Sequence, residues 1–346
     1  MLRAWPPAAS GLILLGALGL FGSQNPEAFA HRKAGADLLQ RGEVEQAVRE
    51  LKAAVALDPE SAAGHMLLGQ AYVAQRSLSL IAEAKAEFQQ ALDIDPSLFW
   101  ARFYLARVYI DLGQYEKARG ELERGLQDRP NVPHFLSLLG EVNRKLGKPE
   151  ASLELNRKAI ELDPTMSPAH YYRALAYMDL KKDDDAIREL ESAIQSKHVA
   201  PEMYLTLGSL YTQRKRYAEA ESVCKKAIAL DPSRAEAYLN MAQLDNVQGW
   251  SDKALAALRL AAPEGKSFPT SPYYQQLQGD IAFERGRAYQ AKRMTAQAIE
   301  AFSQALEFDP SRSETHRRLS ELYSEQGDTL RARQHAAAAE KLPRLP

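Results

Sequence analysis

The chain contains a single cysteine among its 346 residues, so no disulfide can form within it. Cys224 falls in a slot that other parts of the chain fill with apolar side chains, which predicts a buried, unreactive thiol. Several motifs are also missing: paired cysteines, His-Glu-x-x-His, Gly-x-Ser-x-Gly and a glycine-rich phosphate loop. These absences disfavour a metal site, a bound cofactor and a catalytic nucleophile, and they predict a protein that is not an enzyme.

An excess of charge of one sign is missing as well. The chain has 44 lysines and arginines against 45 aspartates and glutamates, for a net charge of −1. Proteins that bind nucleic acid usually present a basic face. The mixed charge therefore predicts a partner that is not a nucleic acid.

The apolar run from Leu12 to Phe21 is too short for a transmembrane helix, which needs roughly 20 residues. It follows Arg3 and precedes Ala28-Phe29-Ala30, where small residues occupy the two positions that a signal peptidase reads. We therefore predict a cleavable signal over residues 1–30, a mature chain from His31, and export to the periplasm or the outside. An uncleaved membrane anchor and a disordered apolar tail are the alternatives.

A small residue recurs along the chain at a period of 34 residues, with three extra residues near 77–79 and ten more between 268 and 279. Two further small residues follow each of them, twelve and nineteen positions later, except that both come three positions later after Gly69, at Ala84 and Ala91. Such a period is typical of a stacked array of repeats rather than of one globular core. The first small residues are Gly35, Gly69, Ala106, Gly140, Ala174, Gly208, Ala242, Gly286 and Ser320.

Within each period the apolar residues fit two helices. Leu207, Gly208 and Tyr211 belong to the first helix of one such period at 3.6-residue spacing. Asp231-Pro232 ends the second helix, because proline disfavours helical geometry in the residue before it. An aromatic residue also recurs three residues after the small one, at Tyr72, Tyr109, Tyr177, Tyr211, Tyr289 and Tyr323.

This combination resembles the tetratricopeptide repeat, a helix–turn–helix of 34 residues. The resemblance implies an all-α fold, a right-handed α-solenoid superhelix of about nine stacked repeats. Repeats one to seven would occupy residues 31–268 and an insertion residues 269–278. Repeats eight and nine, with a capping helix, would occupy residues 279–346. This assignment leaves no stretch for a separate catalytic domain.

Four histidines fall in one slot of the repeat, four residues before the first small residue. They are His31, His65, His170 and His316. Because two other repeats place Tyr204 and Tyr238 there, we interpret the slot as a packing position and not as a set of metal ligands.

The resemblance also implies that the first helix of each repeat lines a concave groove, with positions 2, 5, 9, 12 and 13 facing the ligand. Repeats three to five place aromatic, apolar and charged groups in these positions, which are typical anchors of protein interfaces. The predicted groove residues are Trp100, Phe103, Arg107, His134, Glu141, Arg144, Tyr171 and Met178. The alternative is that Trp100 or Phe103 packs between repeats.

These observations favour a non-catalytic scaffold that binds a protein or peptide partner in the groove. A second interpretation is an envelope scaffold of a polysaccharide-export or secretion machine that binds glycan or assembly components, since aromatic groups also stack on sugars. A third is the helical arm of an enzyme complex.

Overall fold

The protein is described from a computed structural model over residues 25–75, 77–196, 199–262 and 272–342. In these ranges the structure contains eighteen α-helices, one short 3-10 helix and no strand. The helices form two compact units, which divide between Ala200 and Pro201.

The N-terminal unit contains ten α-helices, with a 3-10 helix at Leu78–Leu80 before the fourth. They are α1 (Pro26–Arg41), α2 (Val44–Leu57), α3 (Ala62–Ala74), α4 (Ile81–Ile94), α5 (Phe99–Asp111), α6 (Tyr115–Asp128), α7 (Pro133–Lys145), α8 (Pro149–Leu162), α9 (Ser167–Asp179) and α10 (Asp183–Ala193).

The C-terminal unit contains eight α-helices. They are α11 (Pro201–Gln213), α12 (Tyr217–Leu230), α13 (Ala235–Val247), α14 (Ser251–Ala261), α15 (Pro272–Ala291), α16 (Thr295–Phe308), α17 (Ser313–Glu325) and α18 (Thr329–Lys341). In both units consecutive helices pack as hairpins, and each hairpin packs on the next one within its unit.

Two kinds of turn connect the helices. Inside a hairpin the chain reverses through a left-handed residue, as at Gly113, where the amide of Gln114 donates to the Tyr109 carbonyl at 2.8 Å. Between hairpins, the Asp163 carboxylate accepts from the backbone amide and the hydroxyl of Thr165, at 3.0 and 2.8 Å. The Asp-Pro pairs therefore end the second helices, as the sequence predicts.

The recurring small residues lie where helices approach most closely. A Cβ atom on Gly69 would lie 2.8 Å from the ring of Phe88 in the same hairpin. A Cβ atom on Gly125 would lie 2.3 Å from the ring of Phe135 in the next hairpin. Real side chains do not pack at such distances, so the small residues allow contacts both within and between hairpins.

The two predicted insertions differ in how much of them the structure describes. Helix α15 begins at Pro272, as predicted, and its 20 residues make it the longest first helix of any described hairpin. Residues 263–271, which contain the start of the predicted insertion at 269, lie outside the described residues. The three extra residues near 77–79 overlap the 3-10 helix Leu78–Leu80 before α4.

The predicted signal segment lies mostly outside the described residues, which begin at 25. Its last part, residues 26–30, forms the start of α1. The side chain of Asn25 caps this helix, and Ala28 is buried. Across the ranges that the structure does describe, no helix is both long enough and apolar enough to cross a membrane.

Candidate functional site

The eight predicted groove residues lie on the first helices of three successive hairpins. Trp100, Phe103 and Arg107 are on α5, Glu141 and Arg144 are on α7 with His134, and Tyr171 and Met178 are on α9. Helix α7 packs against α9 as well as against its hairpin partner α8. We call these eight side chains the groove face.

An aromatic cluster occupies the groove face where α5 meets α7. The Trp100 ring is edge-on to Phe103, with centroids 5.6 Å apart, and edge-on to His134 at 5.8 Å. Phe103 is only 6% exposed, whereas Trp100 is partly exposed. Trp100 therefore presents an accessible aromatic surface on a buried support.

The aromatic packing around Trp100 and Phe103 continues into the core between the α5–α6 and α7–α8 hairpins. Phe99 stacks on Phe135 with centroids 4.0 Å apart, and the Arg129 guanidinium lies 5.0 Å from the Phe99 ring. Trp100 contacts both phenylalanine rings, at 5.3 and 6.0 Å. Packing between repeats, the alternative considered above, thus describes Phe103 and part of the Trp100 surface.

The histidine of the aromatic cluster, His134, is uncharged near neutral pH. Burial lowers the pKa of His134, and the nearby Asp163 carboxylate only partly offsets this. A neutral imidazole beside Trp100 and Phe103 makes this part of the groove face suited to apolar or aromatic groups.

An ionic cluster occupies the groove face where α7 meets α9. Arg144 donates through Nε and Nη2 to the two Glu141 oxygens, at 2.8 and 3.2 Å, and through Nη1 to Asp179 Oδ2 at 2.9 Å. Glu141 is fully buried. Because two carboxylates pair with one guanidinium, the cluster links α7 to α9 and offers no free positive charge to a ligand.

The other three predicted residues lie on the same helices, Arg107 on α5 and both Tyr171 and Met178 on α9. The Tyr171 ring lies 5.9 Å from that of Tyr172. Arg107 and Met178 are half-buried. The groove face therefore has an aromatic part, centred on Trp100, and an ionic part, centred on Arg144.

The histidines of this slot pack between helices and also form hydrogen bonds that link the two helices of a hairpin, an arrangement we call a brace, which the sequence interpretation did not include. His65 Nδ1 lies 2.6 Å from Glu87 Oε2 on the facing helix, and its Nε2 lies 3.0 Å from the Pro59 carbonyl. His170 makes the same two contacts, with Glu189 Oε2 at 2.8 Å and the Pro164 carbonyl at 3.2 Å.

Both ring nitrogens of each brace face an acceptor, so the ring donates twice when it is protonated. The hydrogen bond to Glu87 raises the pKa of His65, and the bond to Glu189 raises that of His170, against the effect of burial. The signal in the sequence was a glutamate on the second helix, 19 residues after the histidine in the regular repeats. Across the described ranges, no three His, Cys, Asp or Glu side chains gather closely enough to hold a metal ion.

Cys224 is a buried thiol, as predicted. Burial raises its pKa to about 12, so the reactive thiolate is scarce at neutral pH. A Cβ atom on Gly208 would lie 3.0 Å from its sulfur, which places the thiol in the packing slot of its hairpin.

Family models described as tetratricopeptide repeats match most of the chain. The matched segments are residues 35–75, 81–142, 133–166, 171–235, 211–281 and 283–346. Together they extend over both units.

One curated relative is the human protein O-mannosyl-transferase TMTC3, 24% identical over 341 residues. The match covers 83% of this chain but 36% of that relative, so the chain spans about a third of the relative's length. Two solved structures share the fold. The anaphase-promoting complex hetero-tetramer Cut9–Hcn1 has a TM-score of 0.62 at 15% identity, covering 94% of this chain and 77% of that one. The human IFIT1 dimer with PPP-AAAA has a TM-score of 0.61 at 17% identity, covering 97% and 77%.

Proposed function

Because the chain belongs to the tetratricopeptide repeat family, we propose that it is a non-catalytic scaffold whose groove face binds a polypeptide partner. The observation that carries this proposal is the partly exposed Trp100 ring, fixed by Phe103 and His134 between α5 and α7. Tryptophan on a well-packed support is the residue most often found at the energetic centre of a protein interface.

A fixed ring also lowers the entropic cost of binding. Trp100 contacts four other rings, so its side chain has little rotational freedom to lose when a partner covers it. The neutral surroundings favour an aliphatic or aromatic side chain of the partner at this point. Arg144 is paired with two carboxylates in the neighbouring cluster, which therefore does not favour an acidic partner.

The balanced net charge of −1 supports a protein partner over a nucleic acid. The contacts of the groove face support binding over catalysis. Its buried carboxylate, Glu141, is neutralised by Arg144, and its histidine packs against Trp100 and Phe103.

We also propose that the protein is exported, on the sequence of residues 1–30. Cleavage before His31 would remove the first five residues of α1, including the buried Ala28. The mature chain would then begin with a shortened first helix. N-terminal sequencing of the native protein distinguishes this product from an uncleaved, membrane-anchored chain, in which residue 1 or 2 is found.

Glycan binding is the competing function, because the accessible part of the Trp100 indole could also stack on a sugar ring. One relative is named as a protein O-mannosyl-transferase. That name concerns the relative and not this chain, but it motivates a test of glycan binding. Under this function the protein would be a scaffold of a polysaccharide-export or secretion machine.

Site-specific photo-crosslinking tests the proposal. A benzoylphenylalanine placed at Arg107 reports on the groove face, and the same group at the exposed Lys158 of α8 is the matched control. We expect a discrete protein adduct from position 107 in native extract and none from position 158. Equal adducts from both positions, or adducts from neither together with retention on glycan arrays, would contradict polypeptide binding at this face.

A further inference from the structure

The last hairpin carries an altered version of the histidine brace. His316 Nε2 lies 3.2 Å from the Pro310 carbonyl, as the corresponding histidines do elsewhere. Its Nδ1, however, lies 2.9 Å from Nδ1 of His335 on α18. His335 occupies the slot that Glu87 and Glu189 fill in the N-terminal unit.

This substitution changes what the two nitrogens can do. The Pro310 carbonyl accepts a hydrogen bond from Nε2 of His316, which leaves the lone pair of a neutral ring on Nδ1. One proton then joins this nitrogen to Nδ1 of His335. A carbonyl that fixes the far nitrogen is also the usual outer partner of a metal-binding histidine.

We propose that the His316–His335 pair binds one divalent transition-metal ion, Cu²⁺ or Ni²⁺, through its two Nδ1 atoms, with water in the remaining positions. The ion takes the place of the shared proton, and His335 takes up a proton from solvent on Nε2, so that both rings bind the ion as neutral imidazoles. The site supplies two protein ligands, in agreement with the finding that no group of three ligands is present in the described ranges.

The distance between the nitrogens favours particular metals. With metal–nitrogen bonds of about 2.0–2.1 Å, a separation of 2.9 Å corresponds to an angle of about 90° at the metal. That is the angle between neighbouring ligands in the tetragonal geometries of Cu²⁺ and Ni²⁺. A tetrahedral zinc ion would need a separation of about 3.3 Å, hence a larger movement of the two rings, and zinc also ranks below copper in affinity for imidazole sites.

The surroundings hold one ring and leave the pair accessible. Tyr323 stacks on His335, with ring centroids 5.6 Å apart and ring planes 10° apart. The Arg331 guanidinium lies 5.4 Å from the centroid of the Tyr323 ring. Both histidines are half-buried. Small rotations of the two rings bring both lone pairs toward one ion, which then cross-links α17 to α18.

Calorimetric titration of the untagged full chain with CuCl₂ and with NiCl₂ tests the proposal. His316→Gln and His335→Gln each remove one ligand, and His170→Gln is the matched control because it breaks an ordinary brace. We expect a wild-type binding event that weakens at least tenfold in the first two variants and is unchanged in the control. Unchanged binding in His335→Gln, or no binding to the wild-type chain, would overturn the proposal.

Electron paramagnetic resonance of the Cu²⁺ complex gives a second readout that does not depend on affinity alone. The wild-type spectrum should show coupling to two nitrogens. His335→Glu restores the glutamate of the other braces, so it should keep the fold while reducing the coupling to one nitrogen. A two-nitrogen spectrum in this variant would place the ion elsewhere and refute the site.

Discussion

Gly286 lies against the face of Phe302, and there is no room between them for a side chain. A Cβ atom on Gly286 would lie 2.6 Å from both Cδ1 and Cε1 of the phenylalanine ring. In three other hairpins the position of Gly286 holds alanine and the position of Phe302 holds leucine, as in Ala106 and Leu122. The two slots therefore share a limited volume, which each hairpin divides differently.

Gly286→Ala should destabilise the C-terminal unit by about 1–3 kcal/mol, because the new methyl group overpacks the slot despite the better helix propensity of alanine. Gly286→Ala with Phe302→Leu recreates the alanine–leucine pairing and should recover most of that loss. Urea unfolding of the single and double variants measures both effects. Additive destabilisation in the double variant would contradict a shared slot.

Lys215→Gly should stabilise the turn between α11 and α12 by about 0.5–1 kcal/mol. Lys215 has a φ of 60°, in the left-handed region. The equivalent residue in the turn of another hairpin is Gly147, with a φ of 76°. The reverse change, Gly147→Ala, should destabilise by a similar amount. Thermal unfolding followed by circular dichroism compares the two, and a loss of stability in Lys215→Gly would be inconsistent with strain at this residue.

Asn156→Leu should stabilise the α7–α8 hairpin by about 1 kcal/mol. Asn156 is fully buried, and its Oδ1 has no hydrogen-bond partner among the described residues, while Nδ2 donates to the Ser152 carbonyl at 2.9 Å. Leucine fills the equivalent slot opposite Gly35, at Leu51, so the side chain fits. Asn156→Ala, which leaves a cavity, should instead destabilise, and chemical unfolding of both variants separates packing from polarity.

The braces of the N-terminal unit should make its stability depend on pH. The raised pKa of His170 means that the folded state holds the proton more tightly than the unfolded chain does. The stabilisation is therefore complete below the ordinary histidine pKa of about 6.5 and is lost as pH rises through the raised value. Glu189, Arg173 and the Pro164 carbonyl are the groups that act on this ring.

His170→Gln should remove part of this dependence. Urea unfolding between pH 5.5 and 8.5 should show the wild-type advantage over the variant shrinking as pH rises. Glu189→Gln, which removes the carboxylate and keeps the histidine, should flatten the profile in the same way. An advantage that is constant or that grows toward alkaline pH would show that the brace is not an imidazolium pair.

The sequence predicts the hairpins well because their determinants are local. Gly69 and Gly286 lie in the predicted contact slots, the Asp-Pro pairs end helices, and α15 begins at Pro272. Each of these features depends on steric rules that act within a few residues or within one hairpin.

The groove face was harder to predict because it depends on how neighbouring first helices overlap. Periodicity within one helix places Phe103 and Trp100 alike, yet Phe103 is buried and Trp100 is partly exposed. The buried Glu141 and the Asp179 bond to Arg144 likewise involve two helices. The histidine braces were missed because their glutamate partners lie on the second helix and show no signal in the slot itself.

The most direct test of the scaffold account is the affinity of the crosslinked partner for wild-type, Trp100→Ala and Trp250→Ala chains, measured by calorimetry. Trp250 is 42% exposed in the turn before α14 and is not one of the eight groove-face residues, so it is a matched control tryptophan. We predict at least tenfold weaker binding for Trp100→Ala, with folding confirmed by circular dichroism, and wild-type affinity for Trp250→Ala. Equal affinity of Trp100→Ala and the wild type, or selective loss in Trp250→Ala, would contradict it.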